Sequence, residues 1–295
     1  MARRDARGWR AEAPRLVGDT AALLPALMAD GAPVALGLDL PLGVPRGWAA
    51  RRDEQDFPAM LRGLADDAGF FAVSATLDGV SPARPFYPAR GVKGMTRAAH
   101  AAALGLASAR DLSRLCDRAT ATRPAGAPVF WTLGANQSGK AAIAAWRDWL
   151  APSLAAEAPV SLWPFQGALH GLLAPGRVAI AEVYPAEALR QLGLRLSGSK
   201  RAQAPRIALA EALRDAMARL GVAPSNDLGG MIAAGFGADA AGEDRLDCVL
   251  GLLALIAVLD GAREDYVPAD PWIRRWEGWV LGQTDMPADM PRDDA

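Results

Sequence analysis

Three carboxylates stand where an unpaired charge is costly. Asp39 comes near the end of the apolar run Val34–Leu40, Glu182 lies inside Arg177–Tyr184, and Asp247 opens an apolar stretch running to Leu259. A carboxylate among such neighbours must be paired, ligate a cation or face a cleft. Both strand-like runs are stopped by proline, at Pro41 and Pro185. If they are parallel strands, their acids face the crevice where open α/β sheets bind ligands. Glu243 and Asp247 are four residues apart, and Asp244 and Asp247 three apart, so each pair shares a helix face. Converging carboxylates of this kind hold hard cations such as Mg2+ or Mn2+, and the corresponding chemistry is metal-assisted phosphodiester displacement. Simpler roles stay open: Glu243 and Asp244 suit a helix start as caps or dipole partners, and Asp39 before Pro41 suits a turn.

A second group is Gly134-Ala-Asn-Gln-Ser-Gly139-Lys140-Ala141, after the strand-like Val129–Leu133 and before an apparent helix. It matches the phosphate-loop spacing except at Ala141, where a magnesium-binding hydroxyl is required. Lys140 remains a candidate phosphate contact, and a glycine-cornered turn is the alternative. Lys200 and Arg201, in Ser197-Gly-Ser-Lys-Arg, with Arg206 beyond, are further candidate phosphate contacts or solvated surface charges. Trp272, Trp276 and Trp279 have the spacing of a helix face; they fit core packing, or base stacking if exposed.

The chain's 295 residues, 51% hydrophobic and 22% charged, have the balance of a globular protein. With 32 basic and 33 acidic side chains there is no global field for a polyanion, so nucleic-acid binding requires a local basic patch. The only cysteines, Cys116 and Cys248, are far apart, which argues against a disulfide framework or structural zinc. Two histidines, His100 and His170, exclude chemistry built on several. Met1–Pro14 is basic with no apolar run behind it, unlike a signal peptide. Cys248–Leu259 is too short to span a bilayer. A cytoplasmic protein with no membrane partner is expected.

The pattern predicts α/β architecture: strands at Val34–Leu40 and Arg177–Tyr184, and helices near 19–29, 186–192, 199–220 and 243–259. The span between the acid-bearing strands exceeds an ordinary crossover. Its Ala-rich patterns (53–66, 96–119, 138–150) predict a helical insertion over about 46–158, including the proline- and arginine-rich loop Ser81–Gly91. One domain over 1–284 is expected, with a polar tail at 285–295.

Taken in order, Gly37-Leu-Asp39-Leu-Pro41-Leu-Gly43-Val-Pro45, Ala181-Glu182-Val-Tyr184-Pro185 and Glu243-Asp244-Arg-Leu-Asp247-Cys248 resemble an uncharacterised bacterial family of predicted RNase H-like nucleases. The likeness runs from about Pro33 to Gln283 and includes Gly134–Lys140 and Trp276–Gln283. It implies a mixed five-stranded sheet flanked by helices. Asp39 matches the fourth-strand acid, Glu182 the acidic fifth strand, and Asp247 with Asp244 the final-helix acids. The implied activity is metal-dependent cleavage of nucleic acid by Asp39, Glu182 and Asp247. The rival readings are a nucleotide-binding protein using Gly134–Lys140 and a non-catalytic module of the same fold. One departure is notable: the family's first strand carries an acid that nothing before Asp39 matches, Asp5 lying in Arg-Arg-Asp-Ala-Arg. Residues 1–17 read as the end of the second strand and the third, so the chain is expected to begin late. The genomic sequence before Met1 tests this: an in-frame apolar segment ending in Asp is expected, and an in-frame stop codon there defeats it.

Overall fold

The computed structural model of the chain describes residues 1–91, 93–134 and 138–288. It is mixed α/β, with small sheets flanked by helices. The chain divides into two compact units. The first comprises residues 1–19, 37–39 and 183–266; the second comprises 20–36, 40–182 and the described residues from Val267 onward. Among the described residues the strands form two three-stranded sheets, where the resemblance implies one sheet of five.

In the first unit, β1 (Ala2–Asp5) and β2 (Gly8–Ala11) form an antiparallel hairpin, and β2 pairs in parallel with β6 (Val222–Pro224). Asp5, unlike a buried strand acid, accepts the Arg7 N–H at 2.7 Å and closes the hairpin turn. Gly8 is required here: its φ is +116°, and a Cβ would lie 2.8 Å from the Gly221 carbonyl oxygen. The sheet covers a core that includes Leu213, Met217, Val222, Ile232, Leu246, Leu250 and Leu253. The helix Gly242–Leu259 is apolar around much of its circumference because it is buried there, packing on Pro185–Gln191. The single helix expected over 199–220 is two, Gln203–Ala208 and Ala210–Arg219, so Lys200 and Arg201 lie in the turn before a helix.

The second sheet has the order β3-β5-β4, with β3 (Val34–Leu38), β4 (Val160–Leu162) and β5 (Val178–Glu182). β3's last two residues count with the first unit. β4 and β5 run parallel, and all five residues of the central β5 are buried. This explains its unbroken apolar run, since a central strand of a covered sheet has no solvent face. The helices of the expected insertion are short: Phe57–Gly63, Arg97–Ala103 and Ser138–Ala145, the last continuing as a wide turn over Trp146–Leu150. Val129–Leu133 is not a strand; only Trp131 makes a bridge, to Tyr87. An aromatic core joins Trp48, Phe57, Phe70, Phe86, Phe130 and Trp146, with edge-to-face and tilted rings. Trp276 and Trp279 are buried, and Trp279 Nε1 donates to the Gln283 carbonyl at 2.8 Å, so core packing claims both rather than base stacking.

The turn after β3 meets the C-terminal segment at two glycines. A Cβ on Gly43 (φ +137°) would lie 2.1 Å from the Glu277 oxygen, and one on Gly278 (φ +64°) would lie 2.0 Å from the Leu42 oxygen. Neither backbone can retreat, because Val44 N–H donates to the Trp276 oxygen at 2.8 Å. Gly43→Ala or Gly278→Ala should therefore cost about 2 kcal/mol or more in urea unfolding. A variant of unchanged stability would contradict this packing.

Candidate functional site

Three expected acids belong to the first unit: Asp39 just after β3, and Asp244 and Asp247 at the start of the helix Gly242–Leu259. Small residues position them. A Cβ on Gly37 would lie 3.0 Å from Val183 Cγ1, and one on Gly251 would lie 3.0 Å from Val183 Cγ2. The end of β3 and the long helix thus approach the same valine. Asp39 lies two residues after Gly37, just past the end of β3, and Asp247 precedes Gly251 by one helical turn. Asp39, Asp244 and Asp247 all act electrostatically on the exposed Cys248 thiol. Burial first, then these three carboxylates, push the thiol up, against the Met1 ammonium.

Asp247 is the most enclosed of the three, with 12% of its side chain exposed. Its Oδ2 accepts from the Lys200 ammonium, whereas its Oδ1 is buried without a hydrogen-bond partner. Lys200 Nζ also lies 3.3 Å from Glu243 Oε1, and Arg201 Nε lies 3.5 Å from Glu243 Oε2. Burial pushes Lys200 down, but its bonds to Asp247 and Glu243 outweigh this and leave it raised. Burial pushes the Asp247 carboxyl up; Lys200 opposes, Glu243 and Asp244 add to the rise, and the net shift is upward. Lys200 and Arg201 thus face Glu243 and Asp247, with Asp244 adding to the negative charge at the start of the helix. The buried Arg206 is no phosphate contact. It donates to the carbonyls of Lys200, Gly235 (2.8 Å) and Gly237 (2.6 Å), and so holds the turn that carries Lys200.

Glu182 belongs to the second unit and sits in a different setting from that expected of a metal ligand. Arg114 grips it with two bonds, Nη1 to Oε2 at 2.6 Å and Nη2 to Oε1 at 2.7 Å, and Leu42 N–H adds a third at 2.7 Å. Arg114 also donates to Asp117 at 2.8 and 2.9 Å and to the Glu277 carbonyl at 3.3 Å, which uses all five of its N–H groups. Burial disfavours the guanidinium, but Asp117, Cys116 and Glu182 reverse this and hold it well above its ordinary value. Burial also pushes Glu182 up against Arg114; the bidentate bonds to a permanent cation identify a charged pair, and the Arg114 direction governs. A Cys116 Sγ, an Asp117 oxygen and a Glu182 oxygen fall within 4.8 Å of one another. These atoms do not suit a metal: Arg114 already supplies the cation, and burial raises the Cys116 thiol well above its ordinary value, against the thiolate a ligand needs.

Of the phosphate-loop-like motif, Ala135–Gln137 lie outside the described residues. Gly134 is exposed with φ +108°, and Lys140 is exposed on the helix Ser138–Ala145. Gly139 serves packing, since a Cβ there would lie 2.7 Å from the Trp131 oxygen and 2.8 Å from the Val129 oxygen.

Sequence reasoning missed Arg114, Asp117 and Glu277. Arg114 pairs with an acid 68 positions away and a carbonyl 163 away, and no local spacing encodes such partners. The one available signal was an arginine set between the apolar residues Leu112 and Leu115. Comparison with protein-family models, with curated proteins and with solved structures finds no match to the chain.

The folded state holds the Asp247 proton more tightly than the unfolded chain does. Its contribution to stability is complete when the carboxyl is protonated and is lost as pH rises through its folded pKa. Urea unfolding of the parent and Asp247→Asn across pH should therefore show the parent gaining relative stability as pH falls from neutrality into the ordinary carboxylate range. A flat or opposite difference would contradict the assignment.

Proposed function

We propose that the chain is a metal-dependent phosphodiesterase of RNase H-like type acting on nucleic acid, with Asp39, Asp244 and Asp247 as the carboxylates that hold Mg2+ or Mn2+. The observation that carries this reading is the buried Oδ1 of Asp247, which has no hydrogen-bond partner, beside the acidic neighbours Glu243 and Asp244. Hard oxygen donors with a net negative charge fit such ions. When bound, the metal supplies an acidified water and neutralises charge on the phosphate oxygens. The protein's own residues then have separable tasks. Asp247 and Asp244, on one helix face, fix the donor geometry, while Asp39 contributes from the end of β3. Lys200 opposes the upward shift of Asp247 and carries a charge that a phosphate oxygen can share. Glu182 has no part in this site: it is bonded by Arg114 and by the Leu42 N–H within the second unit.

One observation favours the non-catalytic reading: the Lys200 ammonium already occupies the Asp247 and Glu243 oxygens as a cation would. Calorimetric titration with Mn2+ separates the two. Binding by the parent, weakened tenfold or more by Asp247→Asn and left intact by a folded Glu182→Gln, is expected of the phosphodiesterase, together with cleavage of an oligonucleotide. A folded parent that takes up no Mn2+ removes the metal reading and leaves a Lys200-neutralised module.

A further inference from the structure

The net charge of −1 conceals a strongly uneven distribution. Between Asp78 and Asp111 there is no carboxylate, yet this stretch holds Arg84, Arg90, Lys93, Arg97 and Arg110. A second acid-free stretch runs from Asp117 to Asp148 and contains Lys140. Both stretches belong to the second unit, and their backbones meet at Trp131. Tyr87 N–H donates to the Phe130 oxygen at 3.0 Å, and Thr132 N–H to the Tyr87 oxygen at 3.1 Å. The Thr132 hydroxyl adds a 2.6 Å bond to the Pro88 oxygen. The Arg97 guanidinium lies 5.8 Å from the centre of the Trp131 ring, and Gly139 packs on the Trp131 carbonyl with Lys140 beside it. Arg97 and the helix start that precedes Lys140 thus meet at Trp131, and Arg90 and Lys93 follow within a few residues of the Tyr87–Pro88 pairing. All four are exposed, and among the described residues none is paired with a carboxylate.

We infer that this region of the second unit binds the phosphate backbone of a nucleic acid without reading its sequence. Unpaired exposed cations gathered against the general charge of the chain are the electrostatic footprint of a polyanion site. Their supply from separate segments suits a linear array of phosphates better than one isolated phosphate. A membrane surface fits less well, because the large exposed apolar side chains among the described residues are Met1, Leu16, Val17 and Ile207, none of them in this region. Trp131 is buried under Arg97 and offers no face for base stacking, so the contacts are to phosphates alone. The inference rests on nucleic acid being the substrate class proposed above, and is independent of the metal site.

The test is fluorescence anisotropy of a labelled mixed-sequence DNA duplex and a labelled single-stranded RNA, in chelator so that nothing is cleaved, over a range of salt. The parent is expected to bind at least one probe. The triple variant Arg90→Ala/Lys93→Ala/Arg97→Ala should bind on the order of tenfold more weakly, with the slope of log affinity against log salt reduced by about 2 to 3. Arg90→Lys/Arg97→Lys, which keeps the charge, should restore binding, and the exposed Arg214→Ala of the first unit should leave it unchanged. Equal affinity and slope for parent and triple variant would overturn the inference. So would binding to phosphatidylglycerol vesicles with none to either oligonucleotide. A parent that binds in chelator but never cleaves with Mn2+ would retire the phosphodiesterase reading and keep this one.

Discussion

The second unit is organised around one buried guanidinium. Arg114 donates all five N–H groups to Glu182, Asp117 and the Glu277 carbonyl, with no part of its side chain exposed. Burying a charge among apolar neighbours is unfavourable unless every donor is matched and an opposite charge is close. Here the matching ties together elements remote in sequence: the end of β5, the short turn at Leu115–Asp117, and the wide turn Ile273–Glu277. Glu182 passes the constraint on to Leu42 N–H. The turn after β3 is then fixed from several sides, by Glu182, by the Trp276 carbonyl and by Trp146, whose Nε1 donates to the Pro41 oxygen at 3.0 Å. Removing one partner of such a set strands the others in low dielectric, a loss of about 3–5 kcal/mol.

A second pair, a half-buried arginine on a buried carboxylate, extends the same logic. Glu277, fully enclosed, accepts from Arg46 N–H at 3.1 Å and from Arg46 Nη2 at 2.9 Å, while Arg46 reaches Asp270 at 2.6 Å. The two arginines differ in how completely they are used. Every Arg114 N–H is matched, whereas Arg46 Nε is buried without a partner. Arg114 is therefore the tighter clamp, and Arg46 ties it to the polar edge of the unit.

The carboxylates of the first unit present the opposite case. There one buried oxygen of Asp247 lacks a hydrogen-bond partner, and the pKa of Asp247 is displaced upward by burial and by its acidic neighbours. Stability alone gives no reason to assemble such a group, since each added carboxylate raises the cost of ionising the next. Electrostatic balance thus separates Glu182, both of whose oxygens are bonded by a buried guanidinium, from Asp247, one of whose buried oxygens has no partner.

By itself the sequence determined the elements with strong local signals. Apolar runs ended by proline marked β3 and β5, and the long apolar period marked the helix Gly242–Leu259. The spacing of Asp244 and Asp247 placed them on one helix face, because helical geometry depends only on neighbours. The three-residue strands β4 and β6 were not legible, being too short to carry a period. The helix expected over 199–220 breaks at Leu209, which local propensity does not mark. Only the tertiary structure decided which acid has a buried cation beside it. Arg114 and Glu182 meet across 68 positions, and nothing in a local window records that meeting. The same is true of the basic region at Trp131, whose cations are scattered in sequence and gathered only by backbone pairing. Partners chosen by long-range packing cannot be read from spacing, because spacing constrains geometry only within one element.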